Sequence, residues 1–264
     1  MQKLGGAGVL WVVGGVVGVN AVLVQILSRT DADEERLRLG AGKPVRGDEG
    51  VTTKTRSRWQ ALGNRSFALY TIAMFLVFAG LWVPYFHMRT FAVDALDMSP
   101  SDLFAVLMIF NTAGIQGRII PALLSDSVFG TINTYILILL LTSLVLLCWP
   151  LVVTKADMFV WAGAYGLSSG GAASLVQTGV LSLYSDKSKL GGDIGIVFGV
   201  AGTASLVGAP VGGELIETGT RLFNGGSESF LLLQLCTGGF IMLSCAALFA
   251  ARVAKTGWQV VVRI

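Results

Sequence analysis

The stretch GRIIPALLSDSVFG (117–130) sets an arginine, a proline and an aspartate inside an otherwise apolar run. Arg118 is the residue here with the clearest chemistry. A charged side chain in a hydrophobic segment is costly, and it faces a bundle interior or a water-filled path. Asn111, Gly114 and Arg118 are spaced i, i+3, i+7 and share one face of a helix. The other reading of Arg118 is a side chain that snorkels to cytoplasmic phosphates. A second polar set, Trp161, Tyr165, Ser169 and Gln177, recurs at multiples of four. It suits either a cavity wall or hydrogen bonding and packing between helices.

Enzyme chemistry finds little support. GLSSG (166–170) has the G-x-S-x-G form of a nucleophile elbow, but that elbow follows a strand and needs a neighbouring histidine. The only histidine, His87, lies in another segment and reads as an interfacial residue. Cys148, Cys236 and Cys245 all sit in apolar segments and read as small packing residues, neither a disulfide set nor metal ligands. No catalytic group, metal or cofactor is expected. With no basic run interleaved with aromatics, and a formal charge of +3, nucleic acid is not an expected partner.

The elements that must position these residues follow from composition. Of 264 residues, 53% are hydrophobic and 13% charged, against roughly 25% charged in soluble domains. A membrane-spanning helix needs roughly 20 apolar residues. Seven segments qualify, near 5–27, 67–86, 103–124, 132–153, 158–181, 194–216 and 230–251. The expected fold is an all-α, multi-pass membrane protein. Its parts are one helix (1–28), a charged linker (29–66), a six-helix unit (67–252) and a tail (253–264). The linker carries too little apolar surface to offset its ordering entropy. It reads as a tether, or as a surface that binds anionic lipid through Lys54, Arg56, Arg58 and Trp59. Gly14/Gly18, Gly166/Gly170, Gly191/Gly195/Gly199 and Gly208/Gly212 are spaced by four, which lets helices approach closely, and Pro210 bends the span it lies in.

Lysine and arginine give the orientation. One side of the seven-span arrangement collects 15 of the 19 basic residues, and the other holds Lys3, Arg89, Lys155 and Arg221. The positive-inside rule then puts Met1 outside and Ile264 in the cytoplasm.

One helix, a long cytoplasmic linker and six further helices resemble the sixth helix, central loop and second half of the major facilitator fold. GLWVPYFHMRTFAV (80–93), FNTAGIQGRIIPALLSDSVFGTIN (110–133), YGLSSGGAASLV (165–176) and GIVFGVAGTASLVGAPVGGELI (195–216) resemble, in order, the fungal monocarboxylate-transporter-like branch of that superfamily. The resemblance implies a transporter moving a small organic solute, a carboxylate among the candidates, by alternating access. It implies that the first and fourth helices of the half line the cavity, which adds Tyr70 to Tyr165, Ser169 and Gln177. It gives Arg118, with Asn111 on its face, the role of engaging substrate carboxylate. Gly114 stands where the family has an acidic residue, so a local proton-coupling partner is missing.

By the same resemblance, Asp126 and Gly130 belong to a gating turn between the second and third helices. Ser127 departs from the basic residue usual there, and a capped turn without a gating role is the other reading. The resemblance leaves two functions open. The chain is an incomplete form of a transporter of the plasma membrane or an organelle, or a half-transporter that acts by interaction or regulation. Alone it should insert but not transport, unless a homodimer or a missing first half supplies the second bundle.

Overall fold

The computed structural model describes residues 63–124, 130–183, 190–223 and 226–257. The expected first span, nearly all of the linker and Asp126 lie outside the described residues. Among those described, every regular element is helical: α1 (Arg65–Leu81), α2 (Val83–Asp94), α3 (Pro100–Leu124), α4 (Thr131–Leu147), α5 (Lys155–Leu183), α6 (Leu190–Phe223) and α7 (Leu231–Thr256). Short 3-10 turns at Trp149–Leu151 and Ser227–Phe230 join them.

α1 and α2 form one expected span, broken at Trp82. Pro84 lacks the N–H that would bond back to Gly80, so the helix cannot run through unperturbed. α1 starts at Arg65, two residues before the expected position, behind an Asn64 cap whose side chain accepts from the Ser66 N–H at 3.1 Å.

Among the described residues, five segments are long and apolar enough to cross a bilayer: Arg65–Asp94, Pro100–Pro121, Thr131–Leu151, Gly191–Phe223 and Ser227–Lys255. The expected 158–181 span forms α5 as a continuous helix but falls short on apolarity. The reason is its glycine and serine content. α5 packs against α3 on one side and α4 on another, so its surface is chosen for close approach rather than for lipid.

The packing is ordered. α3 lies mainly on α5, and α1 packs on α6; α1 also packs on α7, α4 on α5, and α4 on α7. This pattern is unchanged when the first three spans are exchanged with the last three (α1 with α5, α3 with α6, α4 with α7). An internal repeat of that kind is a common plan in membrane transport proteins. α3 is buried only along the strip that meets α5. Away from it α3 is open, with Phe104, Ile115 and Leu123 each at least 62% exposed.

The core is held by large side chains and by hydroxyls that bond across helices. Phe67, Met74, Tyr135, Leu139, Trp149 and Met158 are fully enclosed. Tyr135 Oη contacts Met74 Sδ at 3.2 Å, and Ser143 Oγ donates to the Gly238 carbonyl at 3.0 Å. At one end of the bundle two capping boxes start α3 and α5. Ser99 and Asp102 exchange bonds at 3.2 and 3.3 Å; Thr154 and Asp157 do so at 2.9 and 3.2 Å. Lys155 links the two through Asp102 at 3.4 Å. At the other end Lys255 Nζ donates to the Ser182 carbonyl, covering a free C=O in the last turn of α5.

The glycine pattern is met in part. A methyl group on Gly166 or Gly170 would collide with the Phe110 or Gly114 carbonyl of α3. On α6, one at Gly208 would sit 2.6 Å from the Ala79 carbonyl, and one at Gly212 would sit 2.7 Å from His87 Nε2. Gly191, Gly195 and Gly199 face open space instead. The buried face of α6 runs through Asp193, Val197, Ala201 and Ala204. A residue two positions away points to the other side of the helix, so these three glycines make no helix contact among the described residues.

Candidate solute pocket

α3, α5 and the α1–α2 break enclose a pocket of about 280 Å³. Its α3 wall is Phe110, Asn111, Gly114, Ile115 and Arg118. Its α5 wall is Gly166, Ser169, Gly170 and Ala173, and Leu81, Trp82 and Tyr85 close the third side. The α3–α5 crossing sets its floor. Carbonyls of Phe110 and Gly114 lie where a side chain at Gly166 or Gly170 would stand, and Gly117 is equally tight against the Leu167 backbone. Helices this close leave no room for larger residues, so the cavity opens beside the contact rather than through it.

Asn111, Gly114 and Arg118 do share the pocket-facing side of α3. Asn111 Nδ2 donates to the Leu107 carbonyl at 2.8 Å, which turns the amide back on its own helix. Arg118 is exposed on the pocket wall, and among the described residues no carboxylate pairs with it. Pro121, one turn on, is packed in the α3–α5 contact: its Cγ lies 2.8 Å from the place a methyl on Gly171 would take.

The other expected site residues divide. Ser169 lines the pocket, with its hydroxyl donating to the Gly166 carbonyl at 3.3 Å. Tyr165 does not line it but backs it. It is fully buried and its hydroxyl donates to the Leu81 carbonyl at the α1–α2 break. Tyr70 is placed differently from expectation. It is fully buried away from the pocket, donating to the Val176 carbonyl at 2.7 Å and filling the space beside Gly179. A phenol with no open face and a backbone partner is a tie between α1 and α5. Gln177 is exposed on α5 and also lies outside the lining. Gly130 precedes α4 at φ 74°, ψ 158°, a conformation that favours glycine, and its carbonyl accepts from the Thr134 N–H at 3.1 Å. His87 is half-buried, with Nε2 3.3 Å from the Ala209 carbonyl just ahead of Pro210, so it joins α2 to α6. GLSSG lies within α5, where Ser168 Oγ donates to the Tyr165 carbonyl at 3.3 Å. Among the described residues no strand precedes it.

Sequence reasoning missed Trp82, Tyr85 and Phe110. The signal was present in GLWVPY, where two aromatic residues three apart flank a proline. The same holds for Phe110, one residue before Asn111.

The model of the Major Facilitator Superfamily matches residues 1–213. The chain belongs to the major facilitator superfamily. It is thus a multi-pass membrane protein, and the superfamily members it resembles are transporters rather than enzymes. A protein described as MFS-type transporter 1 of Ophiocordyceps sp. is 30% identical over 195 residues, covering 74% of this chain and 41% of its own length. The agnestins efflux protein AgnL12 of Paecilomyces divaricatus is 28% identical over 195 residues, 72% of this chain and 43% of its own. The aspyridones efflux protein apdF of Emericella nidulans is 25% identical over 193 residues, 73% and 38%. The chain therefore spans about two-fifths of the length of these superfamily relatives.

Proposed function

We propose that the six-span unit is one half of a solute exporter of the monocarboxylate-transporter-like branch, and that its pocket holds a small organic anion. The observation that carries this reading is Arg118: a guanidinium on the wall of a largely apolar pocket, with no carboxylate partner among the described residues. Exposed on that wall, the guanidinium is open to the acid group of a ligand. The efflux relatives support the export direction, since two of them are named for the compounds they move out. Alternating access rocks one bundle against another around a shared site. In this reading the second bundle is supplied by a longer form of the chain or by a second copy, and the membrane is the plasma membrane.

The test is export of preloaded labelled benzoate from vesicles holding the chain with a second bundle. Arg118→Ala should lose most of the flux while still reaching the membrane. Arg118→Lys should recover little, because a point charge does not reproduce the bidentate fork. Unchanged flux in the alanine variant makes Arg118 a snorkelling residue and removes the basis of the proposal.

A further inference from the structure

We infer that the pocket selects flat aromatic acids, the ring held by an aromatic wall and the acid group by Arg118; this rests on the reading of the pocket as the solute site. The wall is the end of a longer ladder. Trp149 stacks on Trp161 at 4.6 Å between centroids and 27° between planes. Trp161 stacks on Tyr165 at 5.1 Å and 11°, and Tyr165 on Phe110 at 5.6 Å and 27°. Tyr85 then tilts against Phe110 at 5.4 Å and 58°, with Trp82 at its edge, 5.9 Å away.

The buried members of the ladder are Trp149, Trp161 and Tyr165. The members that reach the pocket are Phe110, Tyr85 and Trp82, and Tyr85 is 37% exposed. The ladder thus runs from the core to the pocket whose wall also carries Arg118. A ligand ring would be its next member.

The buried part of the ladder is fixed in place before any ligand arrives. Trp161 Nε1 donates to the Val145 carbonyl at 2.9 Å, and the Tyr165 hydroxyl donates to the Leu81 carbonyl. Phe110 is held from behind by Tyr165, so little side-chain freedom is lost on binding. Stacked or edge-on ring pairs add roughly 0.5–1.5 kcal/mol beyond area burial, so a ring should bind roughly 2- to 12-fold tighter than a saturated equivalent. The size also speaks. About 280 Å³ lies at the small end of ligand sites, which begin near roughly 300 Å³, so one or two rings fit.

The test is equilibrium binding of radiolabelled benzoate and radiolabelled cyclohexanecarboxylate to the purified chain in nanodiscs. The two acids share charge and ring size, and the saturated one is the more apolar, so simple hydrophobicity favours it. Benzoate should bind roughly 2- to 12-fold tighter. Tyr85→Leu and Phe110→Leu should each bring that ratio close to one, benzoate losing more than cyclohexanecarboxylate. Tyr85 is partly exposed, so its variant reads out the effect even if Phe110→Leu destabilises the bundle. Arg118→Gln should weaken both acids together. Equal affinity for the two acids, or a ratio unmoved by Tyr85→Leu, overturns the aromatic inference and leaves the site reading standing. Loss of Arg118 dependence for both acids overturns the site reading itself.

Discussion

Replacing Gly117 by alanine tests the α3–α5 contact that shapes the pocket. The new methyl carbon would lie 2.7 Å from the Leu167 carbonyl carbon and 2.9 Å from its Cα. Carbon atoms pack at roughly 3.5–4.0 Å, so α3 must move off α5 by about 1 Å. The obstacle is backbone on a helix wedged between α3 and α4, so no side chain can swing aside. Overpacking costs roughly 1–3 kcal/mol, and a clash with rigid backbone belongs at the upper end. The gain in helix propensity from glycine to alanine returns at most about 1 kcal/mol. A net loss of about 2 kcal/mol, or roughly 30-fold in the folded-to-unfolded ratio, is expected. Gly199→Ala is the control, since its methyl meets open space, and it should be neutral or slightly stabilising. The assay is thermal or denaturant unfolding in detergent, followed by tryptophan fluorescence. If Gly117→Ala is as stable as Gly199→Ala, the backbone-to-backbone crossing is wrong, and with it the floor of the pocket.

Three further outcomes follow from the same geometry. Tyr165→Phe leaves the Leu81 carbonyl without its buried donor and should cost roughly 1–3 kcal/mol in the same unfolding assay, with benzoate binding reduced. The exposed Asp157 carboxyl is held below its ordinary range, first by hydrogen bonding with the Thr154 side chain and then by the Thr154 and Val153 N–H groups. Its contribution is therefore present above the usual carboxylate pKa and is lost as pH falls through the lowered value. Asp157→Asn should be less stable than wild type at neutral pH, and the gap should close in strong acid. For orientation, cysteine at Ser227 should react with an impermeant maleimide from outside intact cells and cysteine at Lys187 should not; the reverse pattern inverts the topology.

Five of the seven expected spans were legible because apolarity over about 20 residues is a local property of the chain. α5 shows the limit, since a helix walled by other helices can trade leucine for glycine and serine. Spacing found Gly208 and Gly212, whose neighbours on α1 and α2 crowd them, but it also selected Gly191, Gly195 and Gly199, which face nothing. Spacing shows that small residues share a face, not which face meets a partner. Gly117 and Gly238 carry no such spacing signal, yet each is closed off by a neighbouring helix. In the pocket, the Asn111–Gly114–Arg118 face was readable from helix geometry. Tyr70 and Tyr165 were readable as polar groups, but a phenol that lines a cavity and one that ties two helices look alike until its hydroxyl finds a carbonyl. The aromatic ladder joins residues from 82 to 165 on four elements, so no local window contains it.

The central claim is that the pocket between α3, α5 and the α1–α2 break is where solute sits. Alkylation of a single cysteine at position 111, in a chain whose native cysteines are replaced, tests it directly. Asn111 is exposed on the pocket wall. Saturating benzoate should slow the reaction of Asn111→Cys several-fold, and a cysteine at Leu151, which is 73% exposed and outside the pocket, should react at the same rate with or without it. Equal rates at position 111 in the presence and absence of benzoate, with benzoate bound as judged by equilibrium dialysis, would place the solute elsewhere and contradict the account.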